Sequence, residues 1–238
     1  MTSQSAERAP VPLPLVRRLS LGLVGGVASL ALTAVVGALR ENFNPWHQAM
    51  SALSLGPGGW LQMVNMIVFG LVVLTTVGPW RQILAGGRGA VAYPVLTALV
   101  GVCFIGVGLI RQDPAPGYNP EKLMLTAPTP LGLMHLAIAG VAAVSSVAAL
   151  FVIAARLARD PAWPRWAWYS TATALLVIAC IAVYAVWSIQ PTGFAGTFER
   201  AAMVAPLVWL FAFLRRLRRG VPLMIAPAAS PPQHSRPA

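Results

Sequence analysis

Side chains able to do chemistry are sparse in this sequence, and several crowd into one polar stretch, residues 41–65. It holds Glu41, His47, Ser51, Ser54, a Gly-Pro-Gly-Gly turn at 56–59, and then Gln62 and Asn65 inside an apolar run. Asp113, His135 and the adjacent pair Glu199-Arg200 follow further along. Proton chemistry is one use for such a set. His135 can act as a base near neutral pH if Asp113 or Glu199 lies close, which would suit an intramembrane hydrolase acting on lipids. A Ser-His-acid constellation is a second, drawn from Ser51 or Ser54, His47 or His135, and Asp113 or Glu199. Neither serine sits in a GxSxG elbow, and Ser54-Leu55-Gly56-Pro57 reads first as a capped turn. Recognition without chemistry is the third, with His47, Ser51, Gln62, Asn65, Asp113, His135, Glu199 and Arg200 as the ligand-binding set. The HxxxH, HExxH, CxxC and CxxCH spacings that mark zinc or haem sites are absent, so no metal and no cofactor is expected.

Each of these residues also has a packing role open to it. Glu199 at a helix start suits the helix dipole, and Arg200 can snorkel to an interface. Asp113-Pro114 is a good turn opener. Gln62 and Asn65, three residues apart, can bond to neighbouring helices. His135 can be a satisfied histidine one turn into its helix.

Composition fixes the setting for these groups. The chain has 238 residues, 57% hydrophobic and 10% charged, with a mean hydropathy of +0.71. Soluble domains carry about 25% charged residues, so a membrane protein is expected. The net charge of +11 comes from arginines in short blocks between apolar runs, which is a topology signal and not a nucleic-acid surface. Cys103 and Cys180 fall inside apolar segments and make no disulfide framework.

Apolar runs at residues 19–39, 60–80, 90–110, 131–155, 166–189 and 197–214 predict six spans, each near the length of about 20 residues that a bilayer core needs. The first run exceeds the h-region of a signal peptide and reads as a span. Gly22 and Gly26 would admit a close helix neighbour, and the Ala- and Ser-rich fourth span is expected to pack centrally. Trp163, Trp166, Trp168 and Tyr169 predict an interfacial aromatic belt. Pro206 predicts a kink in the sixth span. With the N-terminus inside, thirteen of the seventeen Lys and Arg residues fall on the cytoplasmic side and alternate loop by loop, a strong positive-inside pattern. Glu41, Asp113, Glu121 and Glu199 then fall on the outer side. Intramembrane polar groups are costly and usually face a bundle interior or wet cavity, so one outer-face pocket is expected to gather them.

The run Ser51-Ala52-Leu53-Ser54-Leu55-Gly56 precedes Gly59-Trp60, Gln62 and Asn65, and later come Asp113-Pro114 with Gly117-Tyr118. Then follow Gly132-Leu133-Met134-His135, Gly196-Thr197-Phe198-Glu199-Arg200 and Trp209. In this order the motifs resemble the bacterial multi-pass membrane family known as domain of unknown function 998, over roughly residues 19–215. One departure is Asn119-Pro120-Glu121, where the family pattern would end in Pro-Gly. The resemblance implies six spans and brings no established activity.

These readings predict an all-α integral membrane bundle of six transmembrane helices with both termini cytoplasmic. Residues 1–16 are expected to be a disordered arm, 17–219 the transmembrane domain and 220–238 a disordered tail. The expected location is the cytoplasmic membrane and the expected partners are membrane lipids, with no nucleic acid. Three functions stay open: a binding or transport-related protein for a lipid headgroup or small polar ligand, a lipid hydrolase, or a structural subunit of a homo-oligomer or membrane complex.

Overall fold

The computed structural model describes residues 10–114, 118–119, 127–190 and 193–223. Among these the chain is helical with no strand: α1 (Leu13–Ala38), a short 3-10 turn (Met50–Ser54), α2 (Trp60–Thr75), α3 (Val77–Ile83), α4 (Ala92–Leu109), α5 (Pro130–Leu157), α6 (Trp166–Trp187) and α7 (Ala195–Arg218). Six stretches are long and apolar enough to cross a membrane, with α2 and α3 forming one of them, Trp60–Ile83. The expected spans agree with them to within a few residues at most ends. Helix α1 starts earlier than expected because Pro12 and Pro14 preset the backbone of a first turn, so residues 13–16 belong to the helix and not to the arm. The rest of the arm (1–9) and most of the tail (224–238) lie outside the described residues.

The break at Thr76 follows from Pro79, which cannot donate to the carbonyl four residues back. The Thr75 and Thr76 hydroxyls donate instead to the carbonyls of Val72 and Val73, both at 2.6 Å. Pro206 stands inside α7.

In space the crossings follow chain order around a closed ring. Helix α1 packs on α2, α2 on α4, α4 on α5, α5 on α6, α6 on α7, and α7 returns to α1. The tightest approach is α2 against α4. A Cβ on Gly101 would lie 2.9 Å from the Gly70 carbonyl, and one on Gly108 would lie 2.8 Å from the Met63 carbonyl. Small residues let these backbones touch where apolar area alone would not drive helices together in lipid. Gly22 is filled by the Thr76 side chain and Gly26 by Leu207 of α7, as the small-residue spacing anticipates.

Both described chain ends emerge at one end of the ring, where Val11, Val16, Leu217 and Leu223 share a core with Trp80, Trp163, Trp209 and Phe213. Phe213 is the hub, stacked on Trp209 at 5.1 Å and tilted against Trp163 at 5.0 Å. The Arg216 guanidinium lies 4.9 Å from the Trp163 ring centre and donates to the Ala162 carbonyl at 2.6 Å. This plug corrects two expectations. Trp163 is fully buried in it, and of the expected belt Trp168 is the side chain most exposed. Helix α5 is not central but one stave of the ring, with Val141 and Val144 facing outward. It meets α4 through Ile138, which packs over Gly106 of that helix.

Candidate functional site

The opposite end of the ring is capped by residues 39–59, and the polar side chains picked out by sequence are held there, apart from Gln62 and Asn65. Segment 44–50 lies across the start of α7. Thr197 donates to the Trp46 carbonyl from its backbone N–H at 3.0 Å and from its hydroxyl at 3.1 Å. Arg200 Nη1 donates to the Gln48 carbonyl at 3.0 Å and to Gly196 at 2.9 Å. Glu199 Oε2 accepts from the Met50 N–H at 2.6 Å. His47 Nδ1 donates to the Gly193 carbonyl at 3.0 Å, with its ring 5.0 Å from that of Phe194. A side chain on Gly196 would run into the Pro45 and Gln48 carbonyls, so the glycine is what lets the strap lie flat.

A second group sits where α4 ends and α5 begins. Asp113 accepts from the Thr129 N–H at 2.8 Å and from its hydroxyl at 2.7 Å. The same Thr129 oxygen caps α5 by accepting from the Gly132 N–H at 3.0 Å, which satisfies one of the orphan donors of the helix start. One turn on, His135 Nδ1 lies 2.6 Å from the Ile110 carbonyl. A carbonyl only accepts, so Nδ1 carries the proton. Ser51 donates to Gln112 Oε1 and ties the 3-10 turn to this corner. Gly132→Ala is expected to displace Asp113, because the new methyl would occupy the place of its carboxylate. A thermal melt lowered by several degrees would report it, matching a lost cap of about 1 kcal/mol.

Gln62 and Asn65 lie apart, buried against α1. Asn65 Nδ2 donates to the Ser29 carbonyl at 3.1 Å and to Thr33 Oγ1 at 3.0 Å, while Gln62 Oε1 accepts from Thr33 at 3.2 Å.

The cap therefore brings His47, Glu199 and Arg200 together, and separately Asp113 with His135. Among the described residues no hydrogen bond joins Glu199 to either His135 or Asp113, and no three His, Cys, Asp or Glu side chains gather as a metal cluster would. Thr129 occupies both Asp113 oxygens, and Ile110 holds the His135 proton that a catalytic carboxylate would orient. The arrangement is a set of latches between loops and helix ends.

Among the described residues, three buried polar atoms in this end make no hydrogen bond: Arg40 Nη2, Ser54 Oγ and Tyr118 Oη. Sequence reasoning passed over Arg40 and Tyr118 as site residues. The signal was a lone arginine at the end of an uncharged run on the side otherwise rich in acids. Tyr118, only 2% exposed, belongs to a small core with Val36, Phe43, Ala52 and Leu53, and the Arg40 charge is near enough to act on its phenol. The Phe43 ring has Tyr118 edge-on at 5.4 Å and the Arg200 guanidinium at 5.8 Å. Gly58 has a φ of +74°, which favours glycine, and even a Cβ built there would stand at an ordinary contact of 3.5 Å from Arg40 Nη2. Burial pushes the Tyr118 phenol above its ordinary value of 10.0, while the Arg40 charge pulls the other way. The phenol therefore stays protonated at neutral pH and can donate. An unsatisfied buried donor costs about 1–3 kcal/mol, so three in one small region call for an acceptor.

A ring of six lipid-length helices with a latched polar cap defines a multi-pass membrane protein. The chain belongs to the DUF998 family, described as "Protein of unknown function (DUF998)", whose family model matches residues 23–216. Its Gly196–Arg200 and Gly132–His135 motifs are the latch residues just described. No curated protein and no solved structure matches the chain.

Proposed function

We propose that the protein is a binding protein of the cytoplasmic membrane that holds an anionic group at its capped end, on a lipid headgroup or a small polar ligand. The arginine-rich end, with Arg17, Arg18, Arg81, Arg88 and Arg215–Arg219, faces the cytoplasm in this reading. What supports it is the unpartnered Arg40 guanidinium nitrogen and the unpartnered Tyr118 hydroxyl, in a cap where Ser54 is also unbonded but His47, Ser51, Asp113, His135, Glu199 and Arg200 are held by other groups. Both atoms donate, and the guanidinium is positive, so the complementary group is an oxyanion such as a phosphodiester. The Arg200 guanidinium lies 5.8 Å from the Phe43 ring centre, with Glu199 beside it.

Native mass spectrometry of the full chain tests this, with phosphatidylglycerol, phosphatidylcholine and inorganic phosphate as probes. Phosphatidylglycerol binding with no phosphate binding identifies a headgroup site. Competition by phosphate identifies a site for a small anion. In either case Arg40→Gln is expected to weaken binding about tenfold or more, the range for a charged hydrogen bond of about 1.5–3 kcal/mol. Equal binding by wild type and Arg40→Gln, with the fold intact, would overturn the proposal.

A further inference from the structure

The centre of the ring is hollow. A cavity of about 150 Å³ lies among α1, α2, α3, α4, α5 and α7, with Leu19, Phe69, Val100, Ala149 and Leu210 on its wall. It is not sealed. A dry apolar cavity of about this size can take a benzene-sized guest.

Its polar groups are unevenly satisfied. Thr76 donates to the Val73 carbonyl at 2.6 Å, Thr97 to Tyr93 at 2.9 Å and Ser146 to Ala142 at 2.9 Å, so three of the wall hydroxyls have spent their protons on their own helices. Tyr93 and Trp80 have not. Their side chains are 7% and 3% exposed, line the cavity and stand with ring centres 4.6 Å apart. Among the described residues neither the phenol O–H nor the indole N–H has a hydrogen-bond partner. Buried tyrosine and tryptophan usually find one. Two adjacent donors in an otherwise apolar wall suit a single acceptor oxygen on a hydrocarbon body.

We infer that this cavity is a second binding site, for the oxygen-bearing end of a hydrocarbon chain whose remainder lies outside through the unsealed side, with Tyr93 and Trp80 as the donors that hold its carbonyl or carboxyl oxygen. It is independent of the capped-end site, since Leu19 and Arg40 are separated by the length of α1, about 30 Å. Both free fatty acids and glycerolipid acyl esters present this chemistry.

The test is photolabelling of the full chain in nanodiscs with diazirine-bearing palmitic acid, diazirine-bearing phosphatidylcholine and a diazirine alkane without oxygen, followed by peptide mapping. Label is expected on Phe69, Val73, Val100 or Leu210. The acid or the ester labels more strongly according to the source of the chain. Ala149→Phe, or Val100→Phe if the first does not fold, fills the cavity and should reduce this label to background. Tyr93→Phe should lower labelling by the carbonyl probe about threefold, as for one neutral hydrogen bond, and leave labelling by the alkane unchanged. Label confined to lipid-facing residues such as Val144 and Leu176, unchanged in the filled variant, would overturn the inference and leave a packing void.

Discussion

Gly101→Leu is expected to lose the folded ring. The first added carbon would lie 2.8 Å from Leu74 Cγ and 2.9 Å from the Gly70 carbonyl. A carbonyl held in a helix cannot move aside as a flexible side chain can, so α2 and α4 must separate along their length. Overpacking costs about 1–3 kcal/mol where neighbours yield, and more where backbone blocks the way. A loss of about 3 kcal/mol or more should appear as a missing monodisperse peak or a melt lowered by roughly 6–12 °C. Gly140→Ala is the matched control. Nothing lies within 4 Å of its new carbon, so it should be neutral or stabilise by about 0.5–1 kcal/mol through helix propensity.

Glu199→Ala is expected to release the strap over α7. The substitution leaves the Met50 N–H without its acceptor and removes the negative charge beside Arg200. Charged hydrogen bonds contribute about 1.5–3 kcal/mol, and an unpaired partner left behind adds to the loss. A melt lowered by roughly 6–12 °C is expected at about 3 kcal/mol, with faster hydrogen exchange at residues 46–50. Glu199→Gln keeps an acceptor oxygen and should retain much of the protection. Equal protection in all three proteins would show that the strap stands without this bond.

The spans were legible because a bilayer demands unbroken apolar runs, and this chain separates its runs with clearly polar or Gly/Pro-rich loops. The break at Thr76 was signalled by Gly78-Pro79 but hidden inside one long hydrophobic stretch. The hollow ring was not legible. Small residues in α5 suit tight central packing and loose encirclement equally, and only the facing helices decide between them. At the capped end the residue types were readable, yet their partners were not. Arg200, His47 and His135 all bond to backbone carbonyls, which every residue possesses and no side-chain spacing announces. Arg40 and Tyr118 escaped for the converse reason, since lacking a partner is a property of the fold and not of the sequence.

The central claim is that Arg40 is held unpaired for a ligand and not for the fold. Thermal stability should be measured in detergent and again with added phosphatidylglycerol, for wild type and Arg40→Gln. The expected result is a wild type stabilised by the lipid, as mass action requires of anything that binds only the folded state. Arg40→Gln should melt at or above the wild-type temperature without lipid and gain nothing when lipid is added. A variant that melts lower in detergent, yet is stabilised by the lipid as fully as wild type, would contradict the claim and make Arg40 a structural residue.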